Sequence, residues 1–287
     1  MRILFQFQQN PVLLLLILTS CTTTIQQPTL ISISQTPPVM LNHTPTETMV
    51  PTYTPTPTQI PSSTPTPVIW VSPLQEIELQ DLPTTIYNPF HLPKAGSDDP
   101  HQGVDFSEVE PQSRISLEGM AVQSILAGKV VQVMEDRFPY GNAVLVVSGP
   151  VEIPLSWLAA INKMENPSPW RANPALSCPQ GWEDAPEQKE QIHLFVLYAH
   201  LKNATDVQVE DRILTGQLLG EIGMSGNALA PHLHVEIRYA YSEAIPDSMA
   251  HYDVSATAPE MMQYCRWRVS GWYRPLDPMS LLLLKVD

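Results

Sequence analysis

The chain has 287 residues, a formal net charge of −14 and 43 % hydrophobic residues, which allows one sizeable core plus appendages. That acidic balance, with no visible cluster of Lys and Arg, argues against a nucleic-acid partner, because neutralising phosphates needs such clusters. The three cysteines (Cys21, Cys178 and Cys265) form no CxxC pair, so a cysteine-based zinc site is not expected, and the uneven crowding of 30 prolines points to a linker.

The N-terminal stretch MRILFQFQQNPVLLLLILTSC carries one Arg and then an apolar run from Val12 to Leu18. A bilayer span needs about 20 residues, so this run is too short to cross and instead fits the core of a secretory signal. It ends in Leu-Thr-Ser-Cys, which resembles the lipobox of bacterial lipoproteins. The resemblance implies that residues 1–20 are removed and that Cys21 carries acyl chains, holding the protein to a membrane on its extracytoplasmic side. Residues 21–67 follow as a Pro/Thr-rich spacer. From Thr22 to Pro67 there are ten prolines and fourteen threonines, with Glu47 the only charge. Such a segment cannot build a core and favours extended backbone. At roughly 3.1 Å per residue it reaches about 140 Å when fully extended, a length suited to a tether.

Residues 68–287 are expected to fold, with ordered structure beginning between Val68 and Tyr87. AVQSILAGKVVQVMED (121–136), GNAVLVVSG (141–149) and IHLFVLYAHL (192–201) are short, Val-rich or apolar and bounded by Gly, Pro or Asn, as strands are. RILTGQLLGEIG (212–223) gives two short apolar pieces around Gly216 and a turn at Gly223. PLSWLAAINKM (154–164) fits a short helix, and no long stretch has clear helical periodicity. The sum predicts a mainly β, antiparallel domain. Two segments, at about 150–191 and 241–273, interrupt the strand rhythm and read as insertions, each with one cysteine. Outside the cytoplasm a disulfide is permitted, so a Cys178–Cys265 bond pinning the two insertions together is predicted.

In HLHVEIRY (232–239) alternate side chains share a face. Leu233, Val235, Ile237 and Tyr239 make a core face, and His232, His234, Glu236 and Arg238 make a polar row on the other. Paired imidazoles on one strand can converge on a cation, but an HxH by itself is weak evidence. HQGVDF (101–106) adds His101 and Asp105, with Gly103 favouring a loop or strand end. LYAHL adds His200 at the end of another strand. Asp, His and His suffice to bind zinc while leaving a fourth position for water. His43, His91, His193 and His251 are expected to be surface or hydrogen-bonded residues. Glu236 reads equally as a group orienting a ligand histidine or as a solvated strand residue.

HQGVD, YAHL and GMSGNALAPHLHVEI occur here in the order found in the lysostaphin-type zinc metallopeptidases, bacterial peptidoglycan endopeptidases with a β-sheet groove. The glycines of LTGQLLGEIGMSG and the ending RPLDPMSLL are similar too, and the resemblance covers about residues 95–282 less the two insertions. It implies Zn2+ held by His101, Asp105 and His234, with His200 and His232 as catalytic histidines. It further implies cleavage of peptidoglycan stem peptides or cross-bridges in the cell envelope, the alternatives being a non-catalytic envelope scaffold that activates another wall hydrolase or a metallopeptidase acting on secreted proteins. The insertions depart from the family pattern and are expected to flank or cover the groove.

Overall fold

The computed structural model describes residues 69–92, 101–107, 116–164, 176–184, 187–242 and 247–285. The expected signal (1–20), the spacer (21–67) and lipidation of Cys21 lie outside these residues. A 3-10 turn (Leu82–Thr85) leads into β1 (Ile86–Asn88), β2 (Val104–Phe106), β3 (Ala121–Gln123), β4 (Gly128–Arg137) and β5 (Gly141–Ser148). Then come α1 (Leu155–Lys163), β6 (His193–Leu201), β7 (Arg212–Ile213), β8 (Leu218–Glu221), β9 (Leu233–Ala240), α2 (Ala258–Val269), β10 (Arg274–Leu276) and α3 (Pro278–Leu282). Among the described residues no helix is long and apolar enough to cross a membrane.

Eight strands form one sheet in the order β1-β2-β9-β6-β5-β4-β7, with β10 also pairing β9. Every pairing in it is antiparallel, as the sequence predicts. The segment 121–136 is not one strand. Ser124 Oγ donates to Leu126 O, and the chain turns there, so β3 pairs with β8 in a separate two-stranded sheet while β4 joins the main one.

Both faces of the main sheet are covered. Trp70, Leu74, Leu82, Trp157 of α1 and Leu281 and Leu282 of α3 pack on one face. Tyr264, Cys265, Trp267 and Val269 of α2 pack on the other with Trp182. This is why β6 is buried at all nine positions and reads in sequence as an unbroken apolar run.

Helix α2 lies in the segment 241–273, in a chain where no long stretch shows clear helical periodicity. Its start has a definite signal: Thr257 and Glu260 form a reciprocal capping box, and Pro259 sits in the first turn. Its periodicity is weak in sequence because Arg266 and Arg268 alternate with the buried Cys265, Trp267 and Val269. Two covalent and ionic ties hold it. Cys178 and Cys265 are disulfide-bonded, as predicted, across a sequence separation of 87. Closing a loop of that length contributes roughly 4 kcal/mol in the chain-entropy model. At the other end, Arg137 of β4 grips Glu260 with two bonds, Nε to Oε1 at 2.8 Å and Nη2 to Oε2 at 2.7 Å.

Burial raises the Glu260 pKa, but the Arg137 and Thr257 hydrogen bonds outweigh it and hold the group down at about 2. A carboxylate whose pKa is depressed on folding adds stability above its unfolded value, and that stability is lost as pH falls through the folded value. Arg137→Met is therefore expected to destabilise the domain fully at pH 7. The gap to the parent protein in urea unfolding should shrink as pH drops from about 4 towards about 2.

Candidate metal centre and cleft

Strand register brings the donors together. Asp105 of β2 lies opposite His234 of β9, and Ala199 of β6 lies opposite His234 on its other side. His101 precedes β2 by a short turn. Its Nε2 lies 3.0 Å from Asp105 Oδ1 and 3.0 Å from His234 Nδ1. His234 Nδ1 lies 2.7 Å from the same Asp105 oxygen. Three donor atoms from three chain positions thus converge, and among the described residues they form a group able to hold a metal ion.

The opposite nitrogens of these rings fix the tautomers. His101 Nδ1–H donates to the Pro89 carbonyl at 3.1 Å, which leaves a lone pair on Nε2. His234 Nε2–H donates to Glu236 Oε1 at 3.2 Å, which leaves a lone pair on Nδ1. The lone pairs are therefore on the converging atoms, the pattern seen when a second partner orients a metal-binding imidazole. Asn88 Nδ2 donates to Asp105 Oδ2 at 3.1 Å and so aims Oδ1 inward. Burial would raise the Asp105 pKa, but His101 and His234 hold it far below the usual carboxylate range. Burial would lower that of His234, but Asp105 and Glu236 on its two sides raise it to about 9, so without metal Nδ1 also carries a proton at pH 7, and the lone pair becomes available only when a bound metal displaces it.

His200 and His232 stand beside this group, with ring centroids 4.6 Å apart. His200 Nδ1–H donates to Ser225 O at 2.8 Å, and His232 Nδ1–H donates to Ala230 O at 2.8 Å. Both rings thus carry a bare Nε2. His232 Nε2 is 3.7 Å from Asp105 Oδ1. Burial, then the neighbouring His234 and His232, lower the His200 pKa to about 3, so its ring is neutral at pH 7. His200 reaches the cleft through an irregularity in its strand. Its φ is +64°, and the β5–β6 register shifts nearby. Tyr198 and Leu201, three apart, consequently share one core cluster, where regular alternation would separate them.

All five expected site residues line one cleft of about 410 Å³. Tyr140, Tyr252, Tyr264 and Arg268 line it too. Of the histidines set aside in sequence, His91 is exposed, His193 is buried at the start of β6, and His251 donates to Ser177 O at 2.9 Å. His43 lies outside the described residues.

The polar row of β9 is not solvated. Glu236 and Arg238 have no exposed surface. Glu236 Oε1 accepts from Tyr140 Oη at 2.8 Å, Arg268 Nη1 at 2.9 Å and His234 Nε2. Its Oε2 accepts from Arg238 Nε at 2.7 Å and Trp267 Nε1 at 2.9 Å. Burial would raise its pKa; Arg238 and Arg268 hold it well below the ordinary value. Arg238 also donates to Trp267 O, Tyr273 O and Gln102 Oε1. The β9 alternation put Glu236 and Arg238 on the histidine face; nothing in the sequence paired them with Tyr140, Trp267 or Arg268.

Gly103 explains the spacing between His101 and Asp105. A Cβ there would lie 2.6 Å from Val235 O and 2.8 Å from the His234 ring. Gly103→Ala is expected to displace that ring and weaken divalent-metal binding at least about tenfold, a loss checked by chelator competition on folded protein.

Residues 187–246 match the family model described as Peptidase family M23. That span contains His200, His232 and His234; His101 and Asp105 lie outside it. No curated protein matches the chain. Among solved structures it is similar to the lysostaphin catalytic domain of Staphylococcus simulans, at 19 % identity over 69 % of this chain and 88 % of that one, TM-score 0.32. It is also similar to a zinc-containing peptidase of Vibrio cholerae, at 18 % identity over 70 % of this chain and 36 % of that one, TM-score 0.33. A candidate M23 peptidase of Pseudomonas aeruginosa aligns at 18 % identity over 59 % of this chain, TM-score 0.28, and the chain spans 48 % of that protein's length. Overlaps this partial leave the architecture resting on the strand pairing itself. The match to the Peptidase family M23 model thus takes in three of the five clustered site residues.

Proposed function

We propose that this chain is a zinc metalloendopeptidase that hydrolyses peptide bonds of peptidoglycan stem peptides or cross-bridges. The observation that carries the reading is the convergence of His101 Nε2, Asp105 Oδ1 and His234 Nδ1 beside two further imidazoles with bare Nε2 atoms in an open cleft. Three N/O donors with a free side fit catalytic zinc, where three protein ligands leave one position open. They also fit because each ring's other nitrogen is already committed to a carbonyl or carboxylate.

When bound, zinc supplies Lewis-acid chemistry, acidifying water and polarising a carbonyl. The chain's own residues supply the rest. His200 and His232 each hold Nδ1–H on a main-chain carbonyl, so each can take a proton only at Nε2. Either Nε2 is positioned to accept a proton from attacking water and return it to the leaving amine. The ring that has taken this proton can donate its Nε2–H to the developing oxyanion before passing it to the amine.

The substrate class follows from the M23 segment together with the expected address. A lipid on Cys21 and a spacer over 21–67 would hold a wall-cutting domain off an extracytoplasmic membrane surface.

His234→Ala is expected to lose metal and activity together. His200→Ala is expected to keep stoichiometric zinc and lose activity by about 10²–10⁴-fold. Metal analysis and mass spectrometry of digested peptidoglycan, with and without chelator, check both. Full activity in either variant would defeat the assignment.

A further inference from the structure

We infer that the inserted helix α2 is part of the metal site: Arg268 and Trp267 hold the Glu236 carboxylate in the position from which it orients His234. The inference rests on the reading that His101, Asp105 and His234 hold a divalent metal.

The geometry is specific. Glu236 Oε1 takes His234 Nε2–H at 3.2 Å and Arg268 Nη1 at 2.9 Å, so the oxygen that aims the ring is itself aimed by an α2 cation. Trp267 Nε1 takes the other oxygen at 2.9 Å and blocks rotation of the carboxylate. Arg238 cannot substitute for Arg268. It bonds Oε2, and its remaining donors go to Trp267 O, Tyr273 O and Gln102 Oε1. Its guanidinium also stacks 4.6 Å from the Trp267 ring. Trp267 and Arg268 lie outside residues 187–246, on a segment that reads as an insertion. Both reach the site through the Glu236 carboxylate. Their role is therefore positioning, exerted through one carboxylate and one ring.

The test uses the full chain and Zn2+ or Co2+ alone. Zn2+ affinity is measured by competition with a chromophoric chelator, and site geometry by the visible absorption of bound Co2+. Glu236→Gln and Arg268→Ala are each expected to weaken Zn2+ binding by about 10–100-fold and to shift the Co2+ spectrum. Because both act on one carboxylate, the double variant should lose no more than Glu236→Gln does. Arg266→Ala, which removes a bond from the same helix to Gly181 O, should bind Zn2+ as the parent does. Arg268→Lys keeps the charge without the planar fork and serves if the alanine variant unfolds; intermediate affinity with a shifted spectrum is expected. Parent-like affinity and spectrum in a folded Arg268 variant would overturn the inference. A parent chain that binds neither metal would instead overturn the underlying metal reading, and this inference with it.

Discussion

Glu236 is a carboxylate with no exposed surface, set in the middle of the strand that carries His234, with His232 just ahead of it. Removing such a charge from water costs several kcal/mol, and the cost is tolerable only where hydrogen bonds satisfy it. Here five donors converge on two oxygens, which fills the acceptor capacity of a carboxylate. Satisfying this one group fixes a Tyr from the β4–β5 connection, two residues of α2, a neighbour on β9 and a site histidine. Loss of any partner leaves a buried charge short of a bond, so the arrangement is stiff by its own energetics.

Sheet register does the coarse positioning and this network the fine. Pairing Asp105 opposite His234 brings an acid and an imidazole within reach, as cross-strand neighbours always are. It does not decide which ring nitrogen faces the acid. That is decided by what each ring meets behind it: a carbonyl for His101, His200 and His232, a carboxylate for His234. His200 needs a further device. On a regular strand it would face away from Ala199 and the cleft. The left-handed backbone at φ +64° swings it round, a conformation costly for a non-glycine residue and held here by the surrounding pairing.

The sequence made the β class, the five site residues and the cysteine pair legible, because each rests on short-range pattern or on motif order. Alternation along β9 needed only the two-residue period of a strand. It could not show that the polar row is covered, since coverage depends on a helix some twenty residues further on. Helix α2 was hidden because Arg266 and Arg268 interrupt its buried Cys265, Trp267 and Val269, and the half-buried Arg268 finds its counter-charge in Glu236. The capping box at Thr257 and Glu260 was visible, but it marks a start and not a length. The split of 121–136 into β3 and β4 was equally hidden, for Ser124 turns the chain through a hydrogen bond to its own backbone neighbour.

The insertion at 241–273 was expected to flank or cover the groove, and among the described residues it flanks it. Tyr252, Tyr264 and Arg268 line the same cleft as the five site residues, while Tyr252 remains 56 % exposed and Leu229 on the rim fully so. The wall is anchored at three points along α2: the Arg137–Glu260 ion pair, the Cys178–Cys265 bond and the Arg268–Glu236 contact. A wall that served only to shape a groove would need no bond to the far side of a site histidine. A support that served only the histidine would need no residues facing the cleft. Helix α2 has both, through Arg268 itself, so one element lines the cleft and also bonds the carboxylate behind His234.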